Sequence, residues 1–109
     1  MPEPNIARIY KREFAAAHII AGHPKCGRMH GHNYTLIAKV YGQSAEWLDF
    51  EEIKRTVDQL VDSKYDHRDI GNMTCERLAR QIQEQLRKEF NTIVKIELWE
   101  TGKFGVSTL

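Results

Sequence analysis

The sequence predicts an α+β fold of order ββααββ, with two helices laid on one face of an antiparallel sheet. Three observations predict it. Two stretches of period two open the chain, two stripes of period 3.6 follow, and a short alternating pair closes it. In residues 6–18, Ile6, Arg8, Tyr10, Arg12 and Phe14 alternate with Ala7, Ile9, Lys11 and Glu13. Neither face is cleanly apolar, but the run reads as a strand. Residues 19–29 hold Gly22, Pro24 and Gly27 and read as a loop. From His30 to Tyr41 a second strand sets His30, His32, Tyr34, Leu36, Ala38 and Val40 on one face. The period then changes. Phe50, Ile53, Val57, Leu60 and Val61 form a helical stripe behind Asp49 and Glu52, a capping-box-like start. A second helix spans Thr74 to Phe90, with Thr74 as N-cap and Cys75, Leu78, Ala79, Ile82, Leu86 and Phe90 as its apolar stripe. Residues 93–100 alternate again, Thr101-Gly102-Lys103 is a turn, and Phe104 to Leu109 completes a hairpin. With both helices on one face, the other face of the sheet is uncovered. Assembly with further copies is the simplest way to cover it.

Bulk properties narrow the function. The chain of 109 residues is expected to form one domain, residues 1–109, with 41% hydrophobic and 28% charged residues. A net charge of +1 points neither to nucleic acid nor to a membrane surface. No apolar stretch is long enough to span a bilayer, and Met-Pro-Glu-Pro-Asn does not begin a signal peptide. Cys26 and Cys75 are too few for a disulfide scaffold, so a cytoplasmic protein with reduced thiols is expected.

The chemistry concentrates in His30-Gly31-His32. Residues two apart on a strand point the same way with Cα atoms roughly 6–7 Å apart, so both imidazoles can converge on one metal ion. His18, at the end of the preceding strand, supplies a third nitrogen if the two strands pair. Three neutral histidines around Zn²⁺ leave a fourth position open, as in a catalytic site. The plainer alternative is three histidines satisfied by ordinary hydrogen bonds. His23, in the Gly/Pro loop, reads as solvated. Cys26 lies four residues before His30, where a nearby metal or imidazolium would lower its pKa for service as a base or nucleophile; alone it is equally an inert loop cysteine. Cys75 belongs to the helix core. Asp66-His67 is a candidate acid–base pair, although most such neighbours are merely solvated. Glu100 continues the face of Val94, Ile96 and Leu98 and so points inward, where a planar ligand with two adjacent N–H donors, or a cationic side chain, would satisfy it.

Phe14-Ala15-Ala16-Ala17-His18 followed by Gly22-His23-Pro24-Lys25-Cys26-Gly27-Arg28-Met29-His30-Gly31-His32-Asn33-Tyr34 resembles the signature of the 6-pyruvoyltetrahydropterin and 6-carboxytetrahydropterin synthases. Leu48-Asp49-Phe50, Tyr65-Asp66-His67, Asn72-Met73-Thr74-Cys75-Glu76 and Trp99-Glu100-Thr101 follow in the family's order, so the resemblance covers nearly the whole chain. It implies the tunnelling (T-) fold, assembled into ring-like homo-oligomers, commonly hexamers, with active sites between subunits. It implies Zn²⁺ on His18, His30 and His32, Cys26 as general base, and Asp66 with His67 as a proton relay. Glu100 would anchor the pterin's 2-amino and N3–H edge, with Thr74 and Glu76 near the pterin pocket. The implied substrate is a dihydropterin triphosphate. Lys25, Arg28 and Lys103 are the basic residues open to its phosphates. Met73 stands where the family usually has proline, and the segment between His67 and Asn72 is short.

The family has two branches. One eliminates triphosphate to give 6-pyruvoyltetrahydropterin. The other also cleaves the side chain, giving 6-carboxytetrahydropterin and acetaldehyde on the route to modified tRNA bases such as queuosine. The short spacing from Cys26 to His30-Gly31-His32 resembles the carboxytetrahydropterin branch, since the pyruvoyl branch more often carries a longer insert there. A zinc hydrolase would use the same histidines without needing Cys26 or an inward Glu100. A pterin- or metal-binding module without catalysis is the non-enzymatic alternative.

Overall fold

A computed structural model describes residues 6–23, 27–41 and 49–109. The elements are β1 (Ala7–Ile19), β2 (His30–Tyr41), α1 (Phe50–Lys64), β3 (Arg68–Asn72), α2 (Cys75–Phe90), β4 (Val94–Trp99) and β5 (Gly105–Ser107). Their order in the sheet is β3-β1-β2-β4-β5. β1 and β2 form a long antiparallel hairpin that starts at Ala7↔Tyr41 and ends at His18↔His30. β4 pairs antiparallel with β2 and with β5.

The strand alternation decides which side is the core. Tyr34, Leu36, Ala38 and Val40 of β2 are fully buried, as are Val94, Ile96 and Leu98 of β4. Against this face lie Ile53, Val57 and Val61 of α1 and Leu78, Ile82 and Leu86 of α2. Both helices therefore cover one face of the sheet, as their stripes imply. Asp49 caps α1 by accepting the Glu51 N–H at 3.0 Å, and Thr74 caps α2 by accepting the Arg77 N–H at 3.2 Å. Only the aspartate half of the expected capping box is present among these bonds. At the far end of α2, Asn91 takes the left-handed conformation (φ 52°) and its N–H closes on the Arg87 carbonyl. The 101–103 turn is held by Thr101 Oγ1, which accepts the N–H groups of Lys103 and Phe104, both at 3.1 Å.

One expectation is corrected. The sheet is mixed rather than antiparallel, and the order is ββαβαββ. Residues 68–72, which the sequence reading assigns to no element, form β3 and pair parallel with β1 through Ala16↔Arg68, Ala17↔Asp69 and Ile19↔Asn72. The register advances two residues on β1 and three on β3, so β3 carries a bulge. Gly71, at φ 73°, accommodates it, and Asp69 Oδ1 accepts the Gly71 N–H at 2.8 Å. Three polar residues, one isoleucine and one glycine leave no period to read; what makes them a strand is the unpaired edge of β1. The bulge brings Asn72 and Met73 around the end of β1, beside His18. No helix among the described residues is long and apolar enough to cross a membrane.

Candidate metal centre and its surroundings

The β1–β2 register places the three histidines at one end of the hairpin. His18 faces His30 directly, and His32 lies one pleat further along β2 opposite Ala16. All three belong to the core-facing side by alternation. Their rings meet edge to face, with centroids 4.4 Å apart for His18–His30, 4.9 Å for His18–His32 and 4.8 Å for His30–His32. One nitrogen from each can be chosen so that the three lie within 4.8 Å of one another.

Hydrogen bonding fixes which nitrogens are free. His18 Nδ1 is 2.7 Å from the Met73 carbonyl oxygen, so it carries the proton and donates it there. His18 Nε2 is then a bare lone pair, fully buried and without a hydrogen-bond partner. His30 repeats the arrangement, with Nδ1 2.8 Å from the Arg28 carbonyl. Burial holds the His32 pKa below its usual value; His18 and His30 act in the same direction and Glu100 opposes them. A buried acceptor with nothing to accept from is costly, and a cation is what three converging imidazole lone pairs would satisfy. The residues fit a divalent metal that prefers nitrogen ligands.

The surroundings are anchored by several contacts. Tyr34 lies beneath the cluster, its hydroxyl 3.3 Å from His18 Nδ1, and burial raises its pKa. Met73 donates its N–H to the Ile19 carbonyl at 3.2 Å, and Asn72 Oδ1 accepts the Ala21 N–H at 3.2 Å. Glu100 follows β4 directly, and one of its oxygens is 3.5 Å from His18 Nε2 and 3.7 Å from His32 Nε2. The inward direction expected for it is therefore present. Cys75 is buried in the core with its thiol 3.6 Å from the Leu98 carbonyl, and burial pushes its pKa up to about 12.

Asp66 and His67 stand elsewhere. Asp66 Oδ1 accepts the Ala15 N–H at 3.0 Å and lies 3.0 Å from His67 Nδ1, while Oδ2 is 3.3 Å from the Arg12 guanidinium. The Ala15 N–H is the main reason the Asp66 carboxyl sits below its usual pKa, with His67 and Arg12 adding to it. Arg12 also meets Asp58 and Asp62 of α1. His67 adopts the left-handed region at φ 59°, uncommon for a residue with a side chain, and its N–H donates to the Ala15 carbonyl at 2.6 Å. Its ring is exposed. It lines a depression of about 420 Å³ with Ala15, Ala17, Gly31 and Asn33, which His32 of the triad and Ala16 also line. Thr74 serves as the N-cap described above, and Glu76 is exposed in the first turn of α2. His23 and Arg28 are exposed, and Cys26 and Lys25 lie outside the described residues. Three participants escaped sequence reasoning: Arg12, Met73 as a hydrogen-bond acceptor, and Tyr34. Tyr34 was within reach, since it continues the His30 and His32 face.

A family model described as 6-pyruvoyl tetrahydropterin synthase matches residues 8–108. A protein of Pyrococcus furiosus named dihydroneopterin monophosphate aldolase is 35% identical over 107 residues, covering 90% of this chain and 92% of its own. A protein of Archaeoglobus fulgidus, provisionally named a 6-carboxy-5,6,7,8-tetrahydropterin synthase, is 32% identical over 94 residues, covering 80% and 81%. The Caenorhabditis elegans 6-pyruvoyl tetrahydropterin synthase structure superposes with a TM-score of 0.82 at 23% identity, covering 99% of this chain and 97% of that one.

Proposed function

This chain belongs to the 6-pyruvoyl tetrahydropterin synthase family, and from that premise we propose a zinc-dependent lyase that converts 7,8-dihydroneopterin triphosphate to 6-carboxy-5,6,7,8-tetrahydropterin. The observation that carries the reading is the unpartnered, buried Nε2 of His18, converging with His30 and His32. Zinc bound there would act as a Lewis acid on the hydroxyls of the substrate's side chain. Cys26 removes a carbon-bound proton as thiolate. His67 returns or shuttles protons, with Asp66, kept ionised by the Ala15 N–H, orienting its Nδ1. Glu100 accepts the paired N–H groups of the pterin edge and so sets the reacting carbon against the base. Thr74 holds the start of α2 beside that pocket, with Glu76 in the first turn. The branch rests on the four-residue step from Cys26 to His30 and on the Archaeoglobus relative's name.

The working form is a homo-oligomer, a hexamer, with each site shared between copies. What supports sharing is that the exposed ring of His67 is not among the side chains that converge with the triad. Mixing His18→Ala protein with His67→Ala protein should then restore a fraction of activity that neither has alone. If co-refolded mixtures stay inactive while each variant binds pterin, the shared site is wrong.

The Pyrococcus relative favours a second reading, an aldolase acting on dihydroneopterin monophosphate. Both reactions cleave a carbon–carbon bond of the side chain, and one assay separates them. The zinc-loaded protein is incubated with 7,8-dihydroneopterin triphosphate and, separately, with the monophosphate. Acetaldehyde with a 6-carboxypterin supports the first reading. A phosphorylated two-carbon aldehyde supports the aldolase. A pyruvoyl product without acetaldehyde moves the chain to the other branch, and no turnover of either substrate refutes catalysis on dihydroneopterin phosphates.

A further inference from the structure

Glu100 is closer to the histidines than an anchor for a distant ring edge needs to be. Its oxygen, 3.5 Å from His18 Nε2 and 3.7 Å from His32 Nε2, is too far for the charge-assisted hydrogen bonds that an imidazolium would make at about 2.7–2.9 Å. It is also facing the wrong partner for one. His18 already donates its Nδ1–H to the Met73 carbonyl, so Nε2 turns a lone pair, not an N–H, toward the carboxylate. A carboxylate oxygen set against an imidazole lone pair is repulsive unless a cation lies between them. The distances to His18 and His32 are close to that case. Four ligands at about 2.0–2.1 Å from one tetrahedral ion stand roughly 3.3–3.4 Å from each other.

The backbone makes the position available. Glu100 donates its N–H to the Phe104 carbonyl at 2.9 Å, so the closing hairpin fixes its Cα beside β2. The side chain is 26% exposed. No cationic side chain pairs with it among the described residues; its neighbours Tyr34 and Cys75 are both held protonated.

We propose that Glu100 is a fourth protein ligand of the metal in the substrate-free protein and leaves it when a pterin arrives. The exchange breaks one carboxylate–metal bond, opens one coordination position for a substrate oxygen, and moves the intact negative charge onto the pterin's N–H pair. At rest a bound metal would be held by His18, His30, His32 and Glu100. The pterin half of this exchange rests on the function proposed above; the metal half does not.

The test uses cobalt(II) in place of zinc in the full-length protein, because four-coordinate cobalt absorbs visible light far more strongly than five- or six-coordinate cobalt. Wild type is expected to give the intense spectrum. Glu100→Gln, at a partly exposed strand end where folding is checked by circular dichroism, should bind Co²⁺ at least tenfold more weakly by chelator competition. Its absorption should be weaker or shifted. Equal affinity and an unchanged spectrum in Glu100→Gln overturn the proposal. Pterin itself, lacking the reactive side chain, is then added. A spectral change in wild type that is absent from Glu100→Gln supports the exchange. Pterin binding, seen by its fluorescence quenching, without any spectral change overturns it. If pterin does not bind wild type at all, the proposed function fails, and the metal arm still decides whether Glu100 is a ligand.

Discussion

Replacing Met73 with proline tests how the metal site is held. The Met73 carbonyl accepts His18 Nδ1–H at 2.7 Å, and the Met73 N–H reaches Ile19 at 3.2 Å, so one peptide ties the segment to β1 on both sides of His18. Proline removes that N–H and puts its ring carbon against the Ile19 oxygen. The extended Asn72 before it tolerates the change, so the fold should survive. The lost hydrogen bond costs about 1 kcal/mol. The larger effect is on the carbonyl, which must shift away from β1 and loosen its hold on the imidazole tautomer. Loss of such an outer partner typically weakens metal binding about 10- to 100-fold, or about 1.4–2.8 kcal/mol. Zinc affinity measured by chelator competition should therefore fall by at least tenfold in Met73→Pro. Met73→Ala retains the N–H and should stay within about twofold, though it loses some packing against the core. Equal zinc affinity in Met73→Pro and wild type, both folded, would refute the argument that this peptide sets His18.

Two further outcomes follow from the charges and from metal linkage. Asp66→Asn should cost about 1–2 kcal/mol at pH 7 by urea denaturation, since the amide cannot serve Ala15, His67 and Arg12 alike. Asp66 has a lowered folded-state pKa, so its stabilisation is present above the unfolded value near 4 and is lost as pH falls through the folded one. The gap between variant and wild type should therefore narrow as pH falls below about 4, and a gap that does not narrow on further acidification counts against the assignment. Stripping metal should lower the melting temperature. At a free metal concentration a hundred times Kd the linkage is about 2.7 kcal/mol, on the order of 10 °C for a chain of this size. A melting curve indifferent to chelator and to added zinc would mean that the triad binds no metal under those conditions.

The fold was readable wherever burial imposed a period. The face of β2 from His30 to Val40 alternates cleanly, and the stripes of α1 and α2 match the residues buried in the core. That same alternation put the three histidines on one side, and the pairing of β1 with β2 brought His18 opposite His30. β3 could not be read in this way. Arg68-Asp69-Ile70-Gly71-Asn72 is a strand because β1 offers it an edge, and the bulge at Gly71 is a property of the pairing rather than of the segment. Whatever depended on β3 was hidden with it: the Met73 carbonyl that accepts from His18, and the position of His67 just before the strand. Arg12 was visible as an odd cation on a half-apolar face, but its partners Asp58, Asp62 and Asp66 come from elements that only packing brings together.

The last rung of the β1–β2 ladder is the pair His18 and His30, two of the three metal-binding candidates. Hairpins are ordinarily closed by a tight turn whose own geometry sets where the ladder stops. Here ten residues, 20–29, separate the two strands, and coordination would take over the role of the turn. Cys26 lies four residues from His30, so at most about 14 Å of chain ties it to a ligand. On the proposed function, the segment that carries the base would thus be anchored beside metal ligands at both of its ends. On that reading, a protein emptied of metal would lose part of what holds its proton acceptor near the site along with its Lewis acid.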